Sequence, residues 1–79
     1  MNYSLFQEFG YLSTGLNSKT KEQAVEDGIN YSLSDLGLSE KGEREIRFLT
    51  LEQKINYLSA SANIEVREHE ELILEEELD

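Results

Sequence analysis

Seventy-nine residues without a cysteine allow one domain at most, and a thin one, because a chain of this length buries only about 60–65 % of its unfolded surface. Seventeen acidic residues against seven basic ones leave a formal charge of −10. That balance excludes direct binding to nucleic acid or to anionic membranes, whose affinity comes from Lys and Arg neutralising phosphate, and it favours a basic partner. No disulfide and no Cys-His zinc site can form, and neither a metal nor a cofactor is expected. A hydrophobic fraction of 38 % is low for a self-sufficient globule, a shortfall that dimerisation or docking on a partner often makes good. The start Met1-Asn2-Tyr3-Ser4 lacks the charged region and apolar core of a secretory signal, and no apolar run approaches the ~20 residues of a membrane span. A cytoplasmic protein is the expectation.

In chain order, Leu5, Phe6, Phe9 and Leu12 stand close to helical spacing, which predicts a helix over residues 4–13. Gly15 to Ser18 supply turn chemistry. Thr20 and Gln23 have capping-box spacing and open a second helix through Ala24 and Val25. Asp27-Gly28 reads as its end, with Ile29 as the apolar residue beyond. Ile29, Tyr31 and Leu33 then alternate with Asn30, Ser32 and Ser34, the period of a strand or of a short irregular segment. Gly37, Ser39 and Gly42 mark loops or caps.

The last third carries the clearest signal. Thr50 and Gln53 form another capping box, followed by an apolar seam of Leu51, Ile55, Leu58, Ala62, Val66, His69 and Ile73. At helical pitch these seven share an arc of about 80°, the narrow stripe of a helix that packs on another helix. A helix from Thr50 to Leu78 would be ~42 Å long, too long for a compact domain, so it projects or pairs with a second copy. A competing reading stops the helix at a left-handed Asn63 and makes Ile64-Glu65-Val66-Arg67 a strand that pairs with Leu72-Ile73-Leu74. The Glu-rich composition favours the helix. The expected fold is therefore predominantly α, a small helical domain with a long acidic C-terminal helix. The alternative is α+β, with short strands near 29–34, 44–49 and 64–74.

Charge is concentrated at the end of the chain. Residues 65–79 hold eight acids and the single base Arg67, a net of −7 against −3 for residues 1–64. On a helix, Glu65, Glu68, Glu71, Glu75 and Asp79 would share one face within about 120°. The eight acids would then lie at one charge per ~2.6 Å of axis. Duplex DNA carries one per ~1.7 Å, and one per ~3.4 Å on each strand. The arm has no interleaved Lys to form i,i+4 pairs, and acids near a helix C-terminus oppose the macrodipole. Folding alone would not select this arrangement.

Other signals are weaker. His69 is the only histidine, and Glu65 one helical turn earlier would favour its charged form, but no nucleophile or orienting partner marks catalysis. Leu33-Ser34-Asp35-Leu36-Gly37-Leu38-Ser39-Glu40-Lys41 resembles the turn of a helix-turn-helix, with Gly37 at the bend. The resemblance departs from that pattern at Glu43, where an apolar side chain should turn inward. Asp35, Glu40, Glu43 and Glu45 also oppose DNA contact, so a structural use of the motif is expected. Ser4-Leu5-Phe6 is similar to the end of short sliding-clamp-binding peptides over three residues only. The spacing of a calcium loop is absent.

Two functional expectations follow. The first is a non-enzymatic inhibitor that binds a basic, nucleic-acid-handling protein through a DNA-mimicking acidic surface, as phage anti-CRISPR and anti-restriction proteins do, with Glu65, Glu68, Glu71, Glu75 and Asp79 as contacts. The second is a helical adaptor or antitoxin-like module that forms a homodimer or docks through Leu51, Ile55, Leu58, Ala62, Val66 and Ile73. In the second, apolar burial at ~25 cal/mol per Å² supplies the energy.

Overall fold

The computed structural model describes residues 1–36 and 40–78, with only the backbone of Asp35, Leu36 and Glu77. The order of elements is β1 (Asn2–Gln7), β2 (Gly10–Tyr11), α1 (Lys21–Leu36), α2 (Glu40–Arg47), α3 (Leu51–Ala62), β3 (Ile64–His69) and a 3₁₀ turn at Glu75–Glu77. The strands form one antiparallel sheet in the order β2-β1-β3. This is an α+β domain, and the predominantly α expectation is overturned.

The first correction concerns β1. Its apolar residues sit near helical spacing, yet Asn2–Gln7 is the central strand and pairs along its whole length with β3, from Asn2↔His69 to Gln7↔Ile64. Leu5 points into the core, while Ser4 on the opposite side is equally buried. A strand covered on both sides loses the polar–apolar alternation that identifies strands in a sequence. Glu8 takes a left-handed φ of 54° in the turn to β2 and leaves Phe9 89 % exposed.

The second correction concerns Gly28. Helix α1 runs through it to Leu36 and takes in residues 29–34. Val25, Ile29 and Leu33, all buried, stand at steps of four and form the inner stripe of α1. Gly28 is a contact point and not a stop. A Cβ there would lie 2.9 Å from Leu58 Cδ1 and 3.2 Å from Leu5 Cδ1. Its bare backbone lets α1 approach α3 and β1 closely. At the start of α1 the Gln23 N–H donates to Thr20 Oγ1 at 3.1 Å, as the capping spacing implies.

Residues 44–49 form no strand either. Most of them lie in α2, whose acids Glu40 and Glu43 occupy the first turn and whose Arg44 and Arg47 occupy the last, both favourable to the helix dipole. The Arg47–Glu43 pair spans one turn at 3.0 Å. Gly37, the bend of the helix-turn-helix resemblance, lies outside the described residues.

The third correction decides the functional argument. Thr50 and Gln53 form the complete capping box at the start of α3. The helix nevertheless ends at Ala62, after twelve residues. Asn63 adopts the left-handed conformation (φ 56°, ψ 33°) and donates its N–H to the Leu58 carbonyl. Gln7 Nε2 donates to the Ala62 carbonyl at 2.6 Å, a further cap supplied by β1. Residues 64–69 are then a strand, paired with β1 and not with 72–74. The ~42 Å helix does not exist, because cap bonds and sheet pairing outweigh the modest helix propensity of the Glu-rich segment.

The core is Leu5, Leu12, Ala24, Val25, Ile29, Leu33, Leu58 and Ile64. Lys54 is buried among these elements and forms an ion pair with Glu26 of α1. No described helix is long and apolar enough to cross a membrane.

Candidate interaction surface

Past β3 the acidic segment turns back over the body of the domain, and specific polar side chains fasten its backbone. Asn2 Nδ2 donates to the Glu70 carbonyl at 2.9 Å. His69 Nδ1 lies 2.6 Å from the Glu71 carbonyl. The Asn17 amide grips Ile73 at two points: Nδ2 donates to the Ile73 carbonyl at 3.1 Å, and Oδ1 accepts from its N–H at 2.9 Å. Leu78 then bridges Tyr11 in parallel, at the margin of the sheet. Asn17 reaches this position from a left-handed φ of 54°, a conformation Asn tolerates better than most residues.

Beneath the segment lies a closed hydrogen-bond chain. The Glu71 carbonyl can only accept, so His69 Nδ1 donates to it. The Ser4 hydroxyl is hydrogen-bonded to Nε2 at 2.7 Å, while Ser4 Oγ accepts the Asn17 N–H at 2.9 Å. The connectivity is that of a nucleophile, a base and an orienting group. Ser4 is fully buried, however, and no substrate carbonyl could reach its Oγ. The chain ties β1, the end of β3 and the turn at Asn17 together. Sequence reading placed His69 at the edge of a helical seam and Asn17 in a turn, and nothing in the spacing linked either to Ser4.

Beside this chain, Arg67 covers an aromatic pair. Its guanidinium lies 3.7 Å above the Phe6 ring, and Phe6 meets Tyr11 edge-on at 5.1 Å. Hydrogen bonding to the Tyr11 side chain, and then to Glu65, raises the Arg67 pKa further above its already high value.

The sequence-predicted contacts are redistributed by these elements. Glu65 and Glu68 point to opposite sides of β3, as strand alternation requires. Glu65 pairs with Arg67 at 3.3 Å. Glu71 lies in the returning segment, Glu75 begins the 3₁₀ turn, and Asp79 falls outside the described residues. The single helical stripe is therefore replaced by an acidic ribbon. Glu68, Glu70, Glu71, Glu75 and Glu76 are all exposed, and none forms an ion pair among the described residues. The apolar seam is likewise divided. Leu58 is fully buried, and Leu51, Ile55, Ala62 and Val66 pack against the domain's own core, while Ile73 belongs to the ribbon. As a continuous helical docking face, that seam is absent.

Among the described residues no group of three or more His, Asp or Glu side chains is placed to hold a metal ion. A shallow recess of about 190 Å³ lies along Glu40, Glu43, Arg44 and Arg47 of α2. It is smaller than the ~300–1,000 Å³ of ordinary ligand sites. The feature with the most functional content is thus the fastened acidic ribbon. No family model, curated protein or solved structure matches this chain.

Proposed function

We propose that this protein acts in the cytoplasm without catalysis, as an inhibitor that binds a basic, nucleic-acid-handling protein through the acidic ribbon that starts at Glu68 near the end of β3. One observation carries the reading. Five exposed carboxylates with no ion pair among the described residues (Glu68, Glu70, Glu71, Glu75 and Glu76) lie on a backbone held in place by Asn2, Asn17 and His69. An acidic tail that served only solubility would need no such fastening. A fixed array of like charges loses less conformational entropy on binding than a free tail does, which favours affinity for a rigid basic surface. The spacing argument drawn from a straight helix lapses with the helix. What supports competition with nucleic acid is now the sign, density and order of the charge, and a Lys- and Arg-rich phosphate-binding surface is its natural complement.

The test uses the full-length protein as bait, with retained proteins eluted in a salt gradient and the principal one then purified. Its affinity for wild type is expected to fall steeply as salt rises, and to weaken strongly when Glu68, Glu70, Glu71, Glu75 and Glu76 are changed together to Gln. Duplex or single-stranded nucleic acid should displace the inhibitor. Binding indifferent to salt, or undiminished in the five-Gln variant, would reject the proposal.

A further inference from the structure

A second surface, which shares only Glu68 with the acidic ribbon, is the outer edge of β3. Tyr3 exchanges both backbone hydrogen bonds with Ser18 at 2.8 Å, and the Leu5 carbonyl accepts from the Leu12 N–H at 2.8 Å. These odd-numbered residues of β1 therefore direct their backbone groups away from β3. By the alternation of an antiparallel ladder, Asn2, Ser4 and Phe6 face β3 and bond to their partners His69, Arg67 and Glu65. The even-numbered residues of β3, namely Ile64, Val66 and Glu68, then direct N–H and C=O outward. Among the described residues no strand lies beyond them. Ile64 is buried at the inner end, whereas Glu65 to His69 are partly or fully exposed.

We infer that this edge pairs with β3 of a second copy of the chain, antiparallel, with Val66 opposite Val66 on the two-fold axis. Three constraints select that register. The sidedness of the strand requires even residues to face even ones, and odd to face odd. The outward backbone groups belong to the even residues, of which Ile64 is buried and cannot sit on the axis, so Val66↔Val66 becomes the central hydrogen-bonded pair. Charge decides among the registers that remain. With Val66 on the axis, Glu65 of each copy stands directly opposite Arg67 of the other, twice over. Centring on Glu65, Arg67 or Glu68 instead sets like charges face to face, which is destabilising. Glu65 and Arg67 share one side of the sheet and already touch within a chain at 3.3 Å. The product is a six-stranded sheet across the two-fold axis. Charged edge residues can also serve to keep a strand solitary, and the experiment decides between these uses.

Sedimentation equilibrium of the full chain is the test, run from micromolar to roughly 0.5 mM, a span that covers weak to moderate dimers. Each copy carries −10, so the dimer is expected to strengthen as salt screens the repulsion, opposite to binding of a basic partner through the ribbon. Val66→Pro removes an outward N–H and some packing against the core, leaves the ladder to β1 intact, and should weaken the dimer at least about tenfold. Glu65→Arg should do the same, and adding Arg67→Glu to it should restore association, with circular dichroism confirming that each variant is folded. A wild type that remains monomeric across the range at high salt overturns the inference. So does a Glu65→Arg variant that self-associates as well as wild type.

Discussion

Asn17 is where order in the acidic ribbon is most open to measurement. Replacing it with Ala removes both amide bonds to Ile73, the 3.1 Å donation and the 2.9 Å acceptance. At about 0.5–1.5 kcal/mol net for each bond, the loss is about 1–3 kcal/mol. Alanine must also hold the left-handed φ of 54°, which adds about 1–2 kcal/mol. Asn17→Gly loses the same two bonds but adopts that backbone freely, at an entropic cost of roughly 0.5–1 kcal/mol. The Gly variant should therefore be the less damaging of the two, by up to about 1.5 kcal/mol. Neither change touches the Asn17 backbone N–H that serves Ser4. Native-state hydrogen exchange at the Ile73 amide reads the clamp directly. Protection there should fall by roughly 5–150-fold in Asn17→Gly, while core amides such as those of Ile29 and Leu58 change only with global stability. If Ile73 exchanges at the wild-type rate in Asn17→Gly, the ribbon is not held by this amide and the entropy argument for its function fails.

Other changes test the packing of the body. Gly28→Ala should destabilise in urea denaturation: the ~1 kcal/mol gained in helix propensity is outweighed by about 1–3 kcal/mol of overpacking against Leu58 and Leu5. In a Leu58→Val background, which lacks the atom 2.9 Å away, the same change should become neutral or stabilising. Ser32 is 2 % exposed and its hydroxyl has no hydrogen-bond partner among the described residues, so Ser32→Ala should raise the urea midpoint by an amount corresponding to about 1 kcal/mol. The Lys54–Glu26 pair should respond asymmetrically, because the lysine side chain is 11 % exposed and the glutamate 45 %. Lys54→Met leaves Glu26 in water and should change stability by less than about 1 kcal/mol, whereas Glu26→Gln strands a buried ammonium and should cost more. Equal effects of those two changes in thermal melts would contradict the burial.

The surfaces proposed for partner binding and for self-association share only Glu68 and draw on different physics. Carboxylates of the ribbon would act over a Debye length and lose strength with salt. The β3 edge would act through backbone hydrogen bonds at contact, and its association is opposed by the same net charge that attracts a basic partner. A single salt series therefore moves the two in opposite directions.

By itself the sequence determined what local chemistry can determine. Both capping sites, Thr20 with Gln23 and Thr50 with Gln53, operate where their spacing put them, since a side chain reaching three residues along its own chain needs no distant support. Asn63 as a left-handed stop was legible for the same reason, and so was the concentration of acid beyond residue 64. Tertiary structure decided the remainder. Whether Gly28 ends a helix or admits a neighbour depends on Leu58, thirty residues away. Whether residues 2–7 coil or extend depends on β3, which lies more than fifty residues away and covers one edge along their full length. The acids of the last segment became a ribbon and not a rod because Asn2, Asn17 and His69 hold the backbone there. Those bonds join groups 56 and 68 residues apart, except the one His69 makes nearby, and no period along the chain records them. Helical spacing describes only neighbours within a turn or two, whereas strand pairing and side-chain clamps are set by which distant groups must be satisfied when the core closes.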